Sequence, residues 1–308
     1  MTQQSGRPGN NMVYLDWPEE LVGSDKHFFR WFHPGSNICL DFHGDPTRAQ
    51  LVVFSDGNHH MALRECLDLF VKQNKGLSGL FYATTPPGPI VKMLKTGGLQ
   101  MGNLIIRLSP HVFISPPAVL DNLVSGGYLK THVPFMRNQG SVLLVKKGNP
   151  KNISGIMDLA RRDVLLFLSN PETETVSYRG YVDTLKGIAG GKGIALSFLT
   201  DGSGTKIVYG ERIHHREAPQ AVAAENADVA IVYYHLALRY VRIFPDLFEI
   251  VPLGGTASEP KPDPENVIST THAGIIGDGG RWGANFLQFL SSEAVTDIYA
   301  YHGLLRAD

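Results

Sequence analysis

Leu51-Val-Val-Phe-Ser-Asp-Gly-Asn-His-His60 is an apolar run that ends in a polar, glycine-containing turn, and an amphipathic segment begins directly after it. Leu51 to Phe54 reads as a buried strand, because four consecutive apolar residues leave no face for solvent. From His59 to Asn74 the residues Ala62, Leu63, Cys66, Leu67 and Phe70 recur at helical spacing, which predicts a helix with one buried face. A strand that turns straight into a helix aims unpaired N–H groups and short polar side chains into the crevice beyond the strand end. The helix dipole favours an anion there. The pattern repeats at a second strand, Gly79 to Tyr82, followed by Ala83-Thr-Thr-Pro-Pro-Gly-Pro89 and a short helix from Pro89 to Lys95. Two such helix starts predict a cleft for a small anion.

Strand–helix alternation continues outward from this segment. Leu104 to Ile106 and His111 to Ile114 are strand-like, and Pro116 to Ser125 reads as a helix closed by Gly126-Gly127. The order predicts a largely parallel sheet with helices on both faces. Ser141 to Lys147 is a strong strand, and the composition breaks at Gly148-Asn-Pro150. A second α/β run follows: a helix capped by Ser154 through Arg161, a strand over Val164 to Leu168, helices over Ser177 to Ile188 and Glu217 to Asn226, and a strand over Val229 to Tyr233. Strands at Glu249 to Pro252 and Val267 to Ile276 precede two closing helices, Arg281 to Leu290 and Glu293 to Tyr301. Residues 1–48 read as irregular, with an aromatic cluster at Phe28, Phe29, Trp31 and Phe32 that staples the arm to the body.

Bulk properties narrow the classes. At 308 residues the chain suits about two domains, each large enough for its own core. A formal charge of −1 argues against a nucleic-acid or membrane-surface protein. No stretch approaches the roughly 20 apolar residues of a membrane helix. Met1 to Asn11 is polar and glycine-rich and shows no signal peptide, which leaves a cytoplasmic chain or a secreted one without its leader. The two cysteines, Cys39 and Cys66, have no metal-site spacing, and Cys66 falls on the apolar face of its helix as a buried thiol. A disulfide between them stays open.

No catalytic set emerges. Gly190-Gly-Lys-Gly193 lacks the spacing of a phosphate loop and reads as a helix-ending turn, and Asp201-Gly-Ser-Gly204 has the wrong context for a nucleophile elbow. Histidines recur near the expected cleft at His59-His60, His214-His215 and His235. His59 reads as polar lining or a donor to ligand, and His60 and His214 as surface residues. Asp228-Val-Ala-Ile-Val-Tyr-Tyr-His235 ends a buried strand in two tyrosines, one of which can offer its hydroxyl to a ligand. Arg216 is a candidate counter-ion.

These residues resemble a family. LVVFSDGNHHMALRECLDLFVKQN, FYATTPPGPIVKMLKTGG, HVFISPPAVLDNLVSGGYL, SVLLVKKGNP, ADVAIVYYHLA and FLQFLSSEAVTDIYAYHGL follow the order of the solute-binding proteins of ABC transporters, specifically the molybdate, tungstate and sulfate group with the type II periplasmic-binding-protein fold. The resemblance covers roughly residues 50–305. It implies a two-lobed α/β architecture of mixed sheets flanked by helices, with two hinge crossovers. Lobe one is then 50–138 plus 266–308, lobe two is 139–265 with the hinge segments, and 1–49 is an extension packed on lobe one.

The resemblance also implies a ligand set: Asn58 and His59 from the first turn, Thr84 and Thr85 from the second, Thr175 and Ser177 after Pro171, His215 and Arg216 at a helix start, and Tyr233. Asn58 stands where the family's first turn usually has serine, residues 97–110 hold an insertion, and His111 replaces a usual aspartate. The implied function is capture of a small anion, a molybdate- or tungstate-like oxyanion or a small carboxylate, for an ABC permease. The protein would be a periplasmic monomer, with no enzyme activity, no cofactor and no nucleic-acid partner. Ferric-ion binders offer a rival alignment through Asp56-Gly-Asn-His59 and Tyr233-Tyr234, in which His59, Tyr233 and Tyr234 would ligate metal. A cytoplasmic ligand sensor on the same fold is the remaining alternative.

Overall fold

The structure, a computed structural model, describes residues 41–307 apart from 57–58, 86, 102–103, 194, 197–205 and 212–213. The expectations for the aromatic cluster of the arm, for Cys39, for Asn58 and for Asp201 to Gly204 lie outside the described residues. Strands β1 (Asp41–Gly44), β2 (Leu51–Ser55) and β3 (Leu80–Thr84) are followed by a small hairpin, β4 (Leu99–Met101) and β5 (Leu104–Ile106), then by β6 (Val112–Ser115) and β7 (Leu129–Arg137). The chain crosses to β8 (Ser141–Lys146), β9 (Leu166–Leu168), β10 (Ile207–Tyr209), β11 (Val229–Tyr233) and β12 (Phe248–Val251), and returns to β13 (Thr270–Ile276) and β14 (Leu305–Arg306). Two main sheets result, ordered β1-β3-β2-β6-β13-β7-β14 and β10-β9-β11-β8-β12.

Strand β2 shows why the first sheet is a three-layer structure. Leu51 and Val53 face the core that α1 (His60–Gln73), α7 (Gly280–Leu290) and α8 (Glu293–Tyr301) build with Phe70, Phe286 and Tyr299. Val52 and Phe54 face the opposite core under α2 (Pro87–Thr96) and α3 (Pro117–Ser125). An apolar residue at every position is what a strand covered on both faces needs. The second sheet is packed by α4 (Thr175–Gly191), α5 (His214–Ala223) and α6 (Tyr234–Ile243).

Several expectations are corrected. The sheets are mixed, as the resemblance implied, and not largely parallel, as the strand–helix alternation alone predicted: β2 pairs parallel with β3 and β6, but β13 runs antiparallel to both β6 and β7, and β8 antiparallel to β11 and β12. Within the segment read as irregular, Asp41–Gly44 forms an antiparallel edge strand on β3. Strand β7 has no period-2 signal and contains Pro134, yet β13 holds it in place along its length. The helix expected from Ser154 is a single 3-10 stretch, Ile156–Ala160, where Ser154 donates from its N–H and Oγ to Asp158 Oδ2. A further helix, α6, follows β11 without a break. Gly190-Gly-Lys-Gly193 does end a helix, with Gly193 at φ +67°.

Two crossovers join the sheets, at 138–140 and 252–269, and buried asparagines brace them. Asn138 Oδ1 accepts from the N–H groups of Gly140 and Ser269, both at 3.1 Å. Asn266 Oδ1 accepts from Ser141 N at 2.7 Å while its Nδ2 donates to Ser141 O at 2.9 Å. The side chain of Asn266 thus continues the ladder beside β8 where β12 has ended. Gly140 sits at φ +75°, and a Cβ there would stand 2.8 Å from the Asn266 side chain, so glycine is required on both counts.

Candidate functional site

Parallel strands deliver their carboxyl ends to one edge of a sheet, where the following helices begin. In the first sheet Ser55 is in register with Thr84 on one side and Ile114 on the other. Thr85 N donates to Ser55 O at 3.0 Å and Asp56 N to Ile114 O at 2.9 Å, which ties the three strand–helix turns together. The edge therefore presents Ser55, Thr84, Thr85 and Ser115, all buried, at the starts of α1, α2 and α3. In the second sheet β9 ends at Ser169, β11 ends at Tyr233, and antiparallel β8 begins beside Tyr233 with Ser141.

The hydroxyls of Ser115, Ser141 and Ser169 are buried and have no protein hydrogen-bond partner among the described residues. Leaving a buried hydroxyl unpaired costs about 1–3 kcal/mol, so three at corresponding strand ends mark a place built for something else to bond. Sequence reading passed over Ser115 and Ser169. Their signal was the shape already seen at Val53-Phe-Ser55, an apolar strand closing in serine, repeated at Phe113-Ile-Ser115 and Phe167-Leu-Ser169.

The two edges face each other. Burial raises the Tyr233 hydroxyl above its ordinary pKa; a hydrogen bond with Ser269 of the return crossover opposes this, and Asp56 from the first sheet's turn adds to it. Burial holds His215 well below the ordinary histidine value, and its neighbours Arg216, His60 of the first sheet, His214 and His235 hold it lower. Neutral imidazoles and hydroxyls thus dominate the space between the sheets, with Arg216 as a cation in the first turn of α5.

The predicted residues divide by location. Thr84 and Thr85 lie on the first edge and Tyr233 on the second. His215 and Arg216, both part-buried, open α5. Thr175 opens α4 but is exposed, its Oγ1 donating to Pro171 O at 3.0 Å, while Ser177, two residues on, is part-buried. His59 turns into the first sheet's core, with Nε2 3.3 Å from Ser55 Oγ and Nδ1 3.0 Å from Tyr299 Oη. Its pKa falls to about 3 through burial, with His235 and His60 lowering it further. Tyr234 is turned from its neighbour, its hydroxyl donating to Ala257 O at 3.1 Å. His214, expected at the surface, is buried and bonds Ile231 O through Nε2 at 2.7 Å. His111 is structural, its Nδ1 accepting from Val52 N at 3.1 Å. Cys66 is a buried free thiol, pushed up to about 12 by burial and Glu65. No group of three or more metal-ligating side chains occurs among the described residues.

One carboxyl enters the site from the second sheet's side. Glu174, at the start of α4, accepts from His214 N at 2.9 Å, and burial raises its pKa from 4.5 to about 7. Between those values the unfolded chain has released a proton that the folded one retains, so this group removes stability as pH rises through the window. Urea midpoints at pH 5 and pH 8 should therefore differ less in Glu174→Gln than in the parent chain. An identical pH slope in both proteins contradicts the assignment.

Comparison with known proteins places this geometry. A sequence profile of the bacterial extracellular solute-binding proteins matches residues 51–305. No curated protein matches the chain by sequence. Among solved structures, the substrate-binding domain of a putative molybdenum ABC transporter from Clostridium difficile superposes with a TM-score of 0.60 at 17% identity, over 84% of this chain and 99% of the other. The sulfate-binding protein SubI from Mycobacterium tuberculosis gives 0.58 at 16% identity, over 84% and 87%. Iron-bound HitA from Pseudomonas aeruginosa gives 0.55 at 14% identity, over 81% and 83%. Among the described residues no helix is long and apolar enough to cross a membrane. With its two sheets, two crossovers and a profile matched over residues 51–305, the chain belongs to the bacterial extracellular solute-binding protein family.

Proposed function

We propose that the chain captures a small oxyanion between its two sheets and delivers it to an ABC permease outside the cytoplasm, as a monomer and without catalysing a reaction. The observation that carries this reading is the set of buried serine hydroxyls at strand ends, Ser115, Ser141 and Ser169, beside Thr84, Thr85 and Tyr233. A desolvated oxyanion needs many directed donors, and hydroxyls with helix-start N–H groups supply them without a full countercharge. A small carboxylate would use the same donors. A periplasmic molybdate-binding protein from Azotobacter vinelandii and the sulfate-binding protein SubI share the fold, which agrees with this chemistry.

The units that close on the ligand are 50–138 plus 266–308 and 139–265, with the crossovers as hinges; the expected packing of the extension on the first unit falls largely outside the described residues. Ferric iron is the less favoured ligand. Paired tyrosines would have to converge on it with His59, whereas Tyr234 bonds Ala257 and His59 bonds Ser55 and Tyr299. A thermal-shift panel of molybdate, tungstate, sulfate, phosphate and small carboxylates should contain at least one that raises the melting temperature. Binding to the native state alone stabilises by about 2.7 kcal/mol at a ligand concentration 100 times Kd. A shift with ferric iron and none with any anion would reverse the ranking.

A further inference from the structure

The strands that lead into the crossovers carry a second cluster of imidazoles. β7 and β13 are adjacent and antiparallel, with Gly274 opposite His132 and Pro134 opposite His272. The two histidines therefore stand on diagonal positions of one sheet face, within reach of each other. Gly274 makes the room: a Cβ there would fall 3.2 Å from the Cβ of His132 and 2.5 Å from Leu129. His132 Nδ1 lies 2.8 Å from His272 Nδ1, and the rings are tilted with centroids 4.9 Å apart. On its other side His132 Nε2 is 3.0 Å from Asp121 Oδ1, on α3.

We propose that His132 and His272 form a binding site for a divalent transition-metal ion of the copper, nickel or zinc class, with Asp121 as the outer carboxylate. With both imidazoles neutral and Asp121 ionised, the hydrogen-bond chain sets the tautomers. An ionised Asp121 only accepts, so His132 carries its proton on Nε2 and presents a lone pair at Nδ1. The 2.8 Å contact then requires His272 to donate from Nδ1. A metal ion entering between the rings takes the His132 lone pair directly. The Nδ1 proton of His272 passes through water to its own Nε2, which frees the second lone pair without net proton release.

Two nitrogens about 2.0–2.1 Å from a tetrahedral ion stand roughly 3.3 Å apart, so the rings must part by about half an ångström and each must swing to aim its lone pair at the ion. A carboxylate that bonds the far nitrogen of a ligating histidine orients the ring and raises its basicity, and Asp121 already occupies that position. Imidazole suits copper, nickel and zinc, and the strand backbone holds both rings more rigidly than a loop would. Burial, with His132 beside it, lowers the His272 pKa from its ordinary value, and Asp121 opposes this. Water completes the coordination sphere.

Titration of the full chain with Cu2+ should show binding at this site, with electron paramagnetic resonance reporting two imidazole nitrogens. His132→Ala and His272→Ala should each lower affinity at least tenfold and remove the two-nitrogen signature. Asp121→Asn, whose side chain is 68% exposed and so spares the fold, should lower affinity ten- to a hundredfold. Anion binding between the sheets should persist in all three variants, so failure here is distinguishable from failure of the oxyanion reading. Absence of Cu2+ binding to the parent chain, or a signature and affinity unchanged in both histidine variants, would overturn the proposal and leave Asp121, His132 and His272 as a structural hydrogen-bond relay.

Discussion

Replacing Asn266 with alanine should lower the unfolding free energy by about 2–5 kcal/mol, because it strands two buried backbone groups at once. Asn266 is 4% exposed, and its amide holds both the N–H and the C=O of Ser141. No strand can replace it, since β12 stops at Val251 and pairs no farther along β8 than Leu143. The same side chain packs against Gly140, so its loss also loosens the first crossover. A cost of this size is a large fraction of a typical domain's stability. Urea denaturation followed by circular dichroism measures it directly, and a change under 1 kcal/mol with unaltered m-value would show that water replaces the amide. Gly140→Ala provides an independent check, as it combines a left-handed backbone with a clash against Asn266 and should also destabilise.

Joint substitution of Ser115 and Ser169 by alanine should have the opposite profile: little loss of stability, or a small gain, and a large loss of ligand affinity. Each hydroxyl lacks a protein partner among the described residues, so removing it relieves an unpaired polar atom in the unliganded chain. Each hydrogen bond to a charged ligand is worth about 1.5–3 kcal/mol, and two lost together weaken binding by roughly 10²- to 10⁴-fold. Calorimetric titration with the anion identified by thermal shift, alongside melting curves of the unliganded variant, reads both quantities. Unchanged affinity would move the ligand away from the strand ends. Loss of stability without loss of affinity would make the serines structural.

The candidate site was legible where local chemistry was distinctive and illegible where it was ordinary. Thr84-Thr85 and Tyr233 stand out because threonine pairs and a strand-ending tyrosine are uncommon punctuation, and both lie on the facing edges. Ser115 and Ser169 look like any serine after a strand; only convergence of β6 and β9 with their neighbours gives them meaning. His59 shows the reverse. Its position after the first turn reads as cleft lining, but one rotation of the ring toward Ser55 and Tyr299 makes it a core residue, and Tyr299 is 240 positions away.

The same division holds for the fold. Periodicity by itself determined β2 with α1, β3 with α2, β6 with α3, β11 and the two closing helices, because a residue's apolar or polar character reports whether its own face is covered. Strand direction and partnership have no such local marker. Strand β7, polar along much of its length and interrupted by Pro134, is a strand because β13 returns from residue 270 to pair with it, and Asp41–Gly44 is one because β3 offers an open edge. The strand partners and register of both sheets, the bracing of the crossovers by Asn138 and Asn266, and the meeting of His132 with His272 were decided by tertiary structure alone. Each depends on backbone groups or rings brought together from distant positions, and a single stretch of sequence carries no record of what will lie beside it.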